Sequence, residues 1–461
     1  MKISHKNRKQ KNRKTTTQLI AIGFLIAIII GTVILMLPVS SATGKWTNPV
    51  DAMFTATTSV CVTGLTVYDT FSYWSTFGHI VMLCLIQCGG LGIVAFTTIL
   101  TVILGRRVTL KDRLLLEDAF NLTTLSGLVR FLKKIFIGTF IVEGVGALIY
   151  MFVFVPEYGA KGIWISVFTA VSAFCNAGID IIGDSSLVPY SSNIIINMVT
   201  MVLIVSGGIG FIVWWDFLDT IGKVRHKDIK FKHFWSKLKL HTKIVIITTL
   251  VLIITGAAFV LLLEYNNAET LGAKSWPEKI LAAVFQSVTV RTAGFTMISQ
   301  KGLRDCTAFI CIILMFIGGS SVGTAGGVKT GTVAVIILAA ISVIKGSNDT
   351  VVFGRKIPAK TVRKALAVFT VSIAVTFLAI IALIMVSEIN FIDATYEIVS
   401  AVATVGLTRD TTGLLNMPGK LIIILCMYLG RIGPISMAIA FAKRGSNENR
   451  FSYPDEEITV G

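Results

Sequence analysis

The sequence predicts an all-α polytopic membrane protein of four tandem helix–pore-loop–helix repeats, set with pseudo-fourfold symmetry around one ion pore. Three observations predict it. First, 54% of the 461 residues are hydrophobic and only 15% are charged; apolar runs of about 20 residues, the length a bilayer-crossing helix needs, recur along the chain. Second, between paired runs lies a segment of small and hydroxylated residues ending in a glycine: Gly64, Gly178, Gly294 and Gly406, spaced by 114, 116 and 112 residues. Such self-similarity at a fixed period is the mark of a repeat architecture. Third, lysine and arginine gather between the repeats and avoid the glycine segments, as the positive-inside bias requires.

Taken in order, residues 1–17 carry seven basic and no acidic side chains and read as a cytoplasmic tail. Repeat 1 (18–105) has a first span over Gln18–Leu37, a pore segment near Asn48–Leu65 and a second apolar run from Trp74 to Leu104; Arg106, Arg107, Lys111 and Arg113 then bring the chain back to the side of its N-terminus. Repeat 2 (128–222) spans to Val155, dips over Ile163–Ile179 and returns from Asn193 to Leu218. The most basic loop follows, with eight lysines and arginines between Lys223 and Lys243. Repeat 3 (241–346) spans Ile244–Leu263, dips over Pro277–Gly294 and returns from Thr307; repeat 4 (361–444) spans Ala365–Val386, dips over Phe391–Gly406 and returns over Lys420–Ala442. Residues 445–461 form a second cytoplasmic tail. Both termini are expected inside and the glycine turns outside.

The net charge of +17 would suggest nucleic acid in a soluble chain. Here cytoplasmic anchoring in the lipid bilayer accounts for it, and no nucleic-acid partner is expected. Seven cysteines, five of them in apolar surroundings, read as reduced packing residues, with neither a disulfide framework nor a metal site. No HExxH, GxSxG or convergent acid pair occurs in the spans, so no enzyme is expected. Glu143 interrupts an apolar span and is either a site or a carboxyl satisfied by packing.

The glycine segments suit a short helix that enters the membrane, stops and returns as extended backbone. Such backbone is tolerated at that depth only in protein or beside a wet cavity. Four of them on one axis would present rings of carbonyls able to replace the hydration shell of a monovalent cation. The expected ion-binding residues are Val62, Thr63 and Gly64; Asn176, Ala177 and Gly178; Thr292, Ala293 and Gly294; and Thr404, Val405 and Gly406. Packing of small residues between helices is the competing account, and the constant period speaks against it. Arg291 and Arg409 lie beside these strands; Arg291 is expected to brace the filter through an acid such as Glu397 or Asp410.

Residues 318–331 hold six glycines in fourteen positions. Each costs about 1 kcal/mol in a helix relative to alanine, so this stretch, between strongly apolar flanks, is expected to be an intramembrane loop. Its candidate gate residues are Gly318, Gly319, Ser320, Ser321, Gly323, Thr324, Gly326, Gly327 and Lys329. It is no phosphate loop, because Val328 separates the glycine from the lysine and no strand precedes it. The matching helices of the other repeats carry milder glycine clusters. In repeat 4 that cluster flanks Arg431, a cation whose cost in hydrocarbon argues for a pathway-facing role; it is expected to donate to loop carbonyls or to hydroxyls such as those of Ser320, Ser321 and Thr324.

This combination resembles the Trk/Ktr/HKT superfamily of potassium transporters, closest to the bacterial Ktr membrane subunit, from about Gln18 to Lys443. The resemblance implies a potassium-channel-like fold with potassium as substrate and only metal, and no covalently held cofactor. It also implies a homodimer with one pore per protomer, seated in the cell membrane on a cytosolic ring of nucleotide-binding regulatory subunits. Uptake depends on sodium in several members.

Overall fold

A computed structural model describes residues 16–104, 109, 116, 128–183, 185–227 and 230–433. The N-terminal tail before Thr16, the C-terminal tail, the basic residues Arg106, Arg107, Lys111 and Arg113, and the stretch after Gly433 expected to complete the last helix lie outside the described residues.

The regular secondary structure of the described residues is helical apart from one antiparallel hairpin, β1 (Val351–Val352) with β2 (Arg355–Lys356), which the all-α reading did not foresee. It is made possible by a turn with positive φ at Phe353 and Gly354. Among the described residues, four helices are long and apolar enough to cross a bilayer: α1 (Thr16–Met36), α5 (Leu128–Tyr158), α9 (Leu240–Glu264) and α13 (Ala359–Val386).

A short helix follows each: α2 (Pro49–Cys61), α6 (Lys161–Cys175), α10 (Trp276–Thr289) and α14 (Phe391–Ala403). At 13 to 15 residues they reach only about 20 Å, less than a hydrocarbon core of about 30 Å. Their starts are set locally. Asn48 accepts from the Val50 N–H with Pro49 in the first turn, and Ser275 with Glu278 closes a capping box around Pro277.

The returning helices are broken. In the first two repeats α3 (Thr76–Gly90) meets α4 (Ile93–Ile103) at 102°, and α7 (Ile194–Gly208) meets α8 (Phe211–Arg225) at 98°. This corrects the continuous second helices expected there. Gly92 and Gly210 stand at the joints with φ +87° and +93°, a backbone that L side chains avoid. In repeat 3, α11 (Asp305–Phe316) and α12 (Thr330–Ile344) are separated by the glycine-rich loop. The last helix, α15 (Met417–Ile432), ends at Gly433 with φ +93°.

Polar stitches tie the short-helix end of the molecule. Lys420 Nζ lies 2.7 Å from Asp51, joining α15 to α2, and Tyr68 donates to the same carboxylate at 2.7 Å. Arg409 pairs with Asp393 and Asp305. Buried Glu397 accepts from the hydroxyls of Thr408, Thr411 and Thr412, so its lone pairs are met without a cation.

Candidate functional site

The short helices all end in one backbone device. Two residues before each glycine the chain takes positive φ: Val62 (56°), Asn176 (59°), Thr292 (70°) and Thr404 (52°). The glycines follow with φ of +102°, +63°, +85° and +94°. The N–H groups between are turned back onto the helices: Thr63 to Thr58 O, Ala177 to Ser172 O and Val405 to Ser400 O, each at 2.8 Å, and Ala293 to Thr289 O at 2.9 Å. With the donors committed backwards, the carbonyls are left to the other side.

The four strands touch in a closed cycle. A Cβ built on Gly64 would lie 2.6 Å from Ala177 O, one on Gly178 2.7 Å from Ala293 O, and one on Gly294 2.6 Å from Val405 O. One on Gly406 would lie 2.2 Å from Thr63 O, returning to the first strand. Every glycine therefore abuts the carbonyl just before the glycine of the next repeat, and a side chain there would collide with backbone. The hydroxyls of Thr63, Thr292 and Thr404 are buried with no partner. The glycines form one boundary of a cavity of about 620 Å³ that Asp69, Asp180 and Asp410 also line.

The glycine-rich loop sits against this ring. Its amides are anchored: Gly318 N to Val328 O at 3.0 Å, Ser320 N to Gly208 O at 2.8 Å and Thr324 N to Gly207 O at 3.1 Å. Lys329 Nζ folds back onto Ala325 O at 2.6 Å. Arg431 reaches the loop from α15, with Nη1 donating to Thr324 O at 2.5 Å and Nη2 donating to Gly89 O at 2.5 Å and Gly90 O at 3.1 Å. Loop residues Ser321, Val322, Gly327 and Lys329 share with Arg431 a second cavity of about 860 Å³.

A family model described as "TrkH: Cation transport protein" matches residues 2–453. The chain belongs to the TrkH family. It is 40% identical to "Ktr system potassium uptake protein B" of Bacillus subtilis (strain 168), over 97% of each chain. It is 37% identical to "Potassium/sodium uptake protein NtpJ" of Enterococcus hirae, over 98% of each. Among solved structures, the potassium transporter TrkH from Vibrio parahaemolyticus superposes with a TM-score of 0.72 at 16% identity, covering 95% of this chain and 87% of that one. That likeness concerns the fold, a helical membrane architecture.

Two expectations for this TrkH-family chain need correction. Arg291 does not reach Glu397 or Asp410; its Nη2 donates to Gly318 O at 3.4 Å, at the start of the loop. Glu397 is taken by three threonine hydroxyls, so it has no call for a guanidinium. Arg431 does take a loop carbonyl, that of Thr324, but not the hydroxyls of Ser320, Ser321 or Thr324, and its two further acceptors come from the break in the first repeat. Glu143 resolves toward packing: it accepts from the Gln87 amide at 3.2 Å and faces the Cys175 thiol.

The sequence reading missed the hydroxyls that brace the strands. Gly64 N donates to Thr58 Oγ1 at 2.9 Å, Gly406 N to Ser400 Oγ at 3.1 Å and Ile179 N to Ser172 Oγ at 3.1 Å. Each stands six residues before its glycine; in repeat 3 Thr289, five before, donates to Phe295 O at 2.6 Å. A hydroxyl at that fixed offset was the available signal.

Proposed function

We propose that this chain is the ion-translocating subunit of a potassium uptake system in the cell membrane, with the four strands forming a pseudo-fourfold selectivity filter. The cyclic contact of glycine against carbonyl carries the reading. It supports carbonyl sets from all four repeats facing one axis, and such carbonyls can stand in for the hydration shell of a large monovalent cation. Val62, Thr63, Asn176, Ala177, Thr292, Ala293, Thr404 and Val405, with the four glycines, hold the ion. The unpartnered threonine hydroxyls favour this, since buried polar atoms without a partner are costly unless a ligand meets them.

The loop 318–331 is the gate and Arg431 its latch. Three backbone carbonyls from two repeats converge on one guanidinium, an arrangement that pins the loop and sets a positive charge on the pathway. Both termini face the cytoplasm, two protomers associate, and a cytosolic nucleotide-binding ring acts on the inner loops; the relatives named as Ktr-system proteins support a multi-component system. Sodium activates uptake without replacing potassium.

The deciding experiment is isotope uptake into proteoliposomes holding the purified chain, with potassium, rubidium and sodium competing. Uptake blocked by potassium and rubidium but not by sodium is expected. Equal block by sodium would sink the selectivity assignment, and no uptake above empty liposomes would sink the transport reading.

A further inference from the structure

The gate loop and the filter are in direct contact, and the contacts come from the filter residues two and three places before the glycines. Asn176, buried on the second strand, faces the loop. Oriented so that its amide donates to Ala173 O at 3.1 Å and Ile204 O at 3.2 Å, it presents its oxygen to Thr324 Oγ1 at 3.3 Å. Helices α6 and α7 thus hold the side chain in place, and its remaining polar atom is spent on the loop. Thr324 Oγ1 also lies 3.0 Å from Phe174 O, in the last turn of α6, which shares the one hydroxyl proton with the Asn176 oxygen. On the fourth strand, a Cβ built on Gly326 would fall 2.0 Å from Thr404 Oγ1 and 2.7 Å from Ala403 O. On the third, Arg291 holds Gly318 O. Thr324, the same residue, offers its carbonyl to Arg431.

We propose that the loop closes by seating on the inner end of the filter, that ion occupancy and loop closure act on each other across this contact, and that Asn176 is the positioning residue that holds Thr324 in it. This rests on the reading of 318–331 as the gate. An ion held at the inner end is repelled by the Arg431 guanidinium that latches Thr324, and the repulsion is strong where water is scarce. It also draws on the Thr404 hydroxyl against which Gly326 packs. Ion binding therefore loosens the loop. Linkage is reciprocal: whatever factor the ion applies to loop closure, loop closure applies to ion affinity.

The test uses the full-length chain in detergent and two readouts. Hydrogen exchange of the 318–331 amides is measured in saturating potassium and in N-methylglucamine, and potassium affinity by calorimetry. Wild type is expected to exchange its loop amides faster in potassium. Thr324→Val, which keeps the shape and removes the hydroxyl, is expected to bind potassium more tightly by a factor on the order of 5 or more and to lose the potassium effect on exchange. Asn176→Ala should do the same from the filter side; if it fails to fold, Thr324→Val carries the test alone. Loop exchange indifferent to or slowed by potassium, or unchanged affinity in Thr324→Val, would overturn the coupling. Potassium flux in Arg431→Ala separates the two readings. If that variant conducts like wild type, the gate falls and the coupling with it. If it conducts more while Thr324→Val binds potassium as wild type does, only the coupling falls.

Discussion

The guanidinium of Arg431 donates to Thr324 O and to Gly89 O, both at 2.5 Å, and so ties the glycine-rich loop of the third repeat to the helix break of the first. Hydrogen bonds to a charged group are worth about 1.5–3 kcal/mol each, and about 1.4 kcal/mol is a tenfold change in an equilibrium. Arg431→Ala should accordingly raise unregulated potassium flux by about tenfold or more and weaken dependence on a regulatory subunit. Arg431→Lys keeps the charge but cannot bridge two carbonyl groups with a planar fork, and should fall between. Potassium uptake in a transport-deficient host, with protein levels checked, reads both.

Gly64 has φ +102°, and a Cβ there would meet Ala177 O at 2.6 Å. Gly64→Ser must displace the neighbouring strand or its own backbone. The expected result is a lower potassium-to-sodium uptake ratio with normal abundance. An unchanged ratio at normal abundance would remove Gly64 from the filter.

How much of this was legible beforehand divides along physical lines. The glycine period, the short helices and the loop at 318–331 follow from composition, because positive φ and a glycine-saturated stretch leave few alternatives. The sharp breaks at Gly92 and Gly210 did not show. A few glycines in a helix cost only about 1 kcal/mol each, and the apolar run continues across both joints. The partner of Arg291 was equally hidden, since a bond from one cation to a distant backbone carbonyl leaves no trace in residue types. An acid is the natural guess for a buried arginine, and here Glu397 was already occupied by three hydroxyls.

Glu143 should act as a packed polar group. Its carboxyl accepts from Gln87, and it forms no ion pair among the described residues. Glu143→Gln keeps the shape and should leave flux and thermal stability close to wild type. Glu143→Leu strands the Gln87 amide at a cost of about 1–3 kcal/mol, visible as a lower unfolding temperature in detergent. A transport defect in Glu143→Gln at normal stability would restore it as a site.

Asp180 lines the cavity bounded by the four glycines. Burial raises its carboxyl to about 6, against hydrogen bonds from Ser186 and the Ile182 N–H that favour the charged form, and nearby Asp69 pushes it further up. The sign follows: the carboxylate is charged above that value and neutral below it. As external pH falls through about 6, the negative potential drawing cations to the mouth weakens, and uptake at sub-saturating potassium should decline. Asp180→Asn should show the low-pH rate throughout and a flatter profile. An unaltered profile in that variant would assign the pH effect elsewhere.

Gly326 and Gly331 make a matched pair for testing where the loop rests. A Cβ on Gly326 would lie 2.0 Å from Thr404 Oγ1, whereas one on Gly331 would meet nothing within 4 Å. The two substitutions add the same methyl group, one within the loop and one in the first turn of α12, where alanine is favoured over glycine. Gly326→Ala can be accommodated by turning Thr404 or by lifting the loop, but Ala403 O, at 2.7 Å from the same point, is backbone and cannot turn aside. Lifting the loop is the remaining relief, so Gly326→Ala should raise flux in the absence of a regulatory subunit. Gly331→Ala should match wild type. Equal flux in the two variants at equal abundance would mean that the loop does not rest on the fourth strand, and the gate would have to be sought elsewhere.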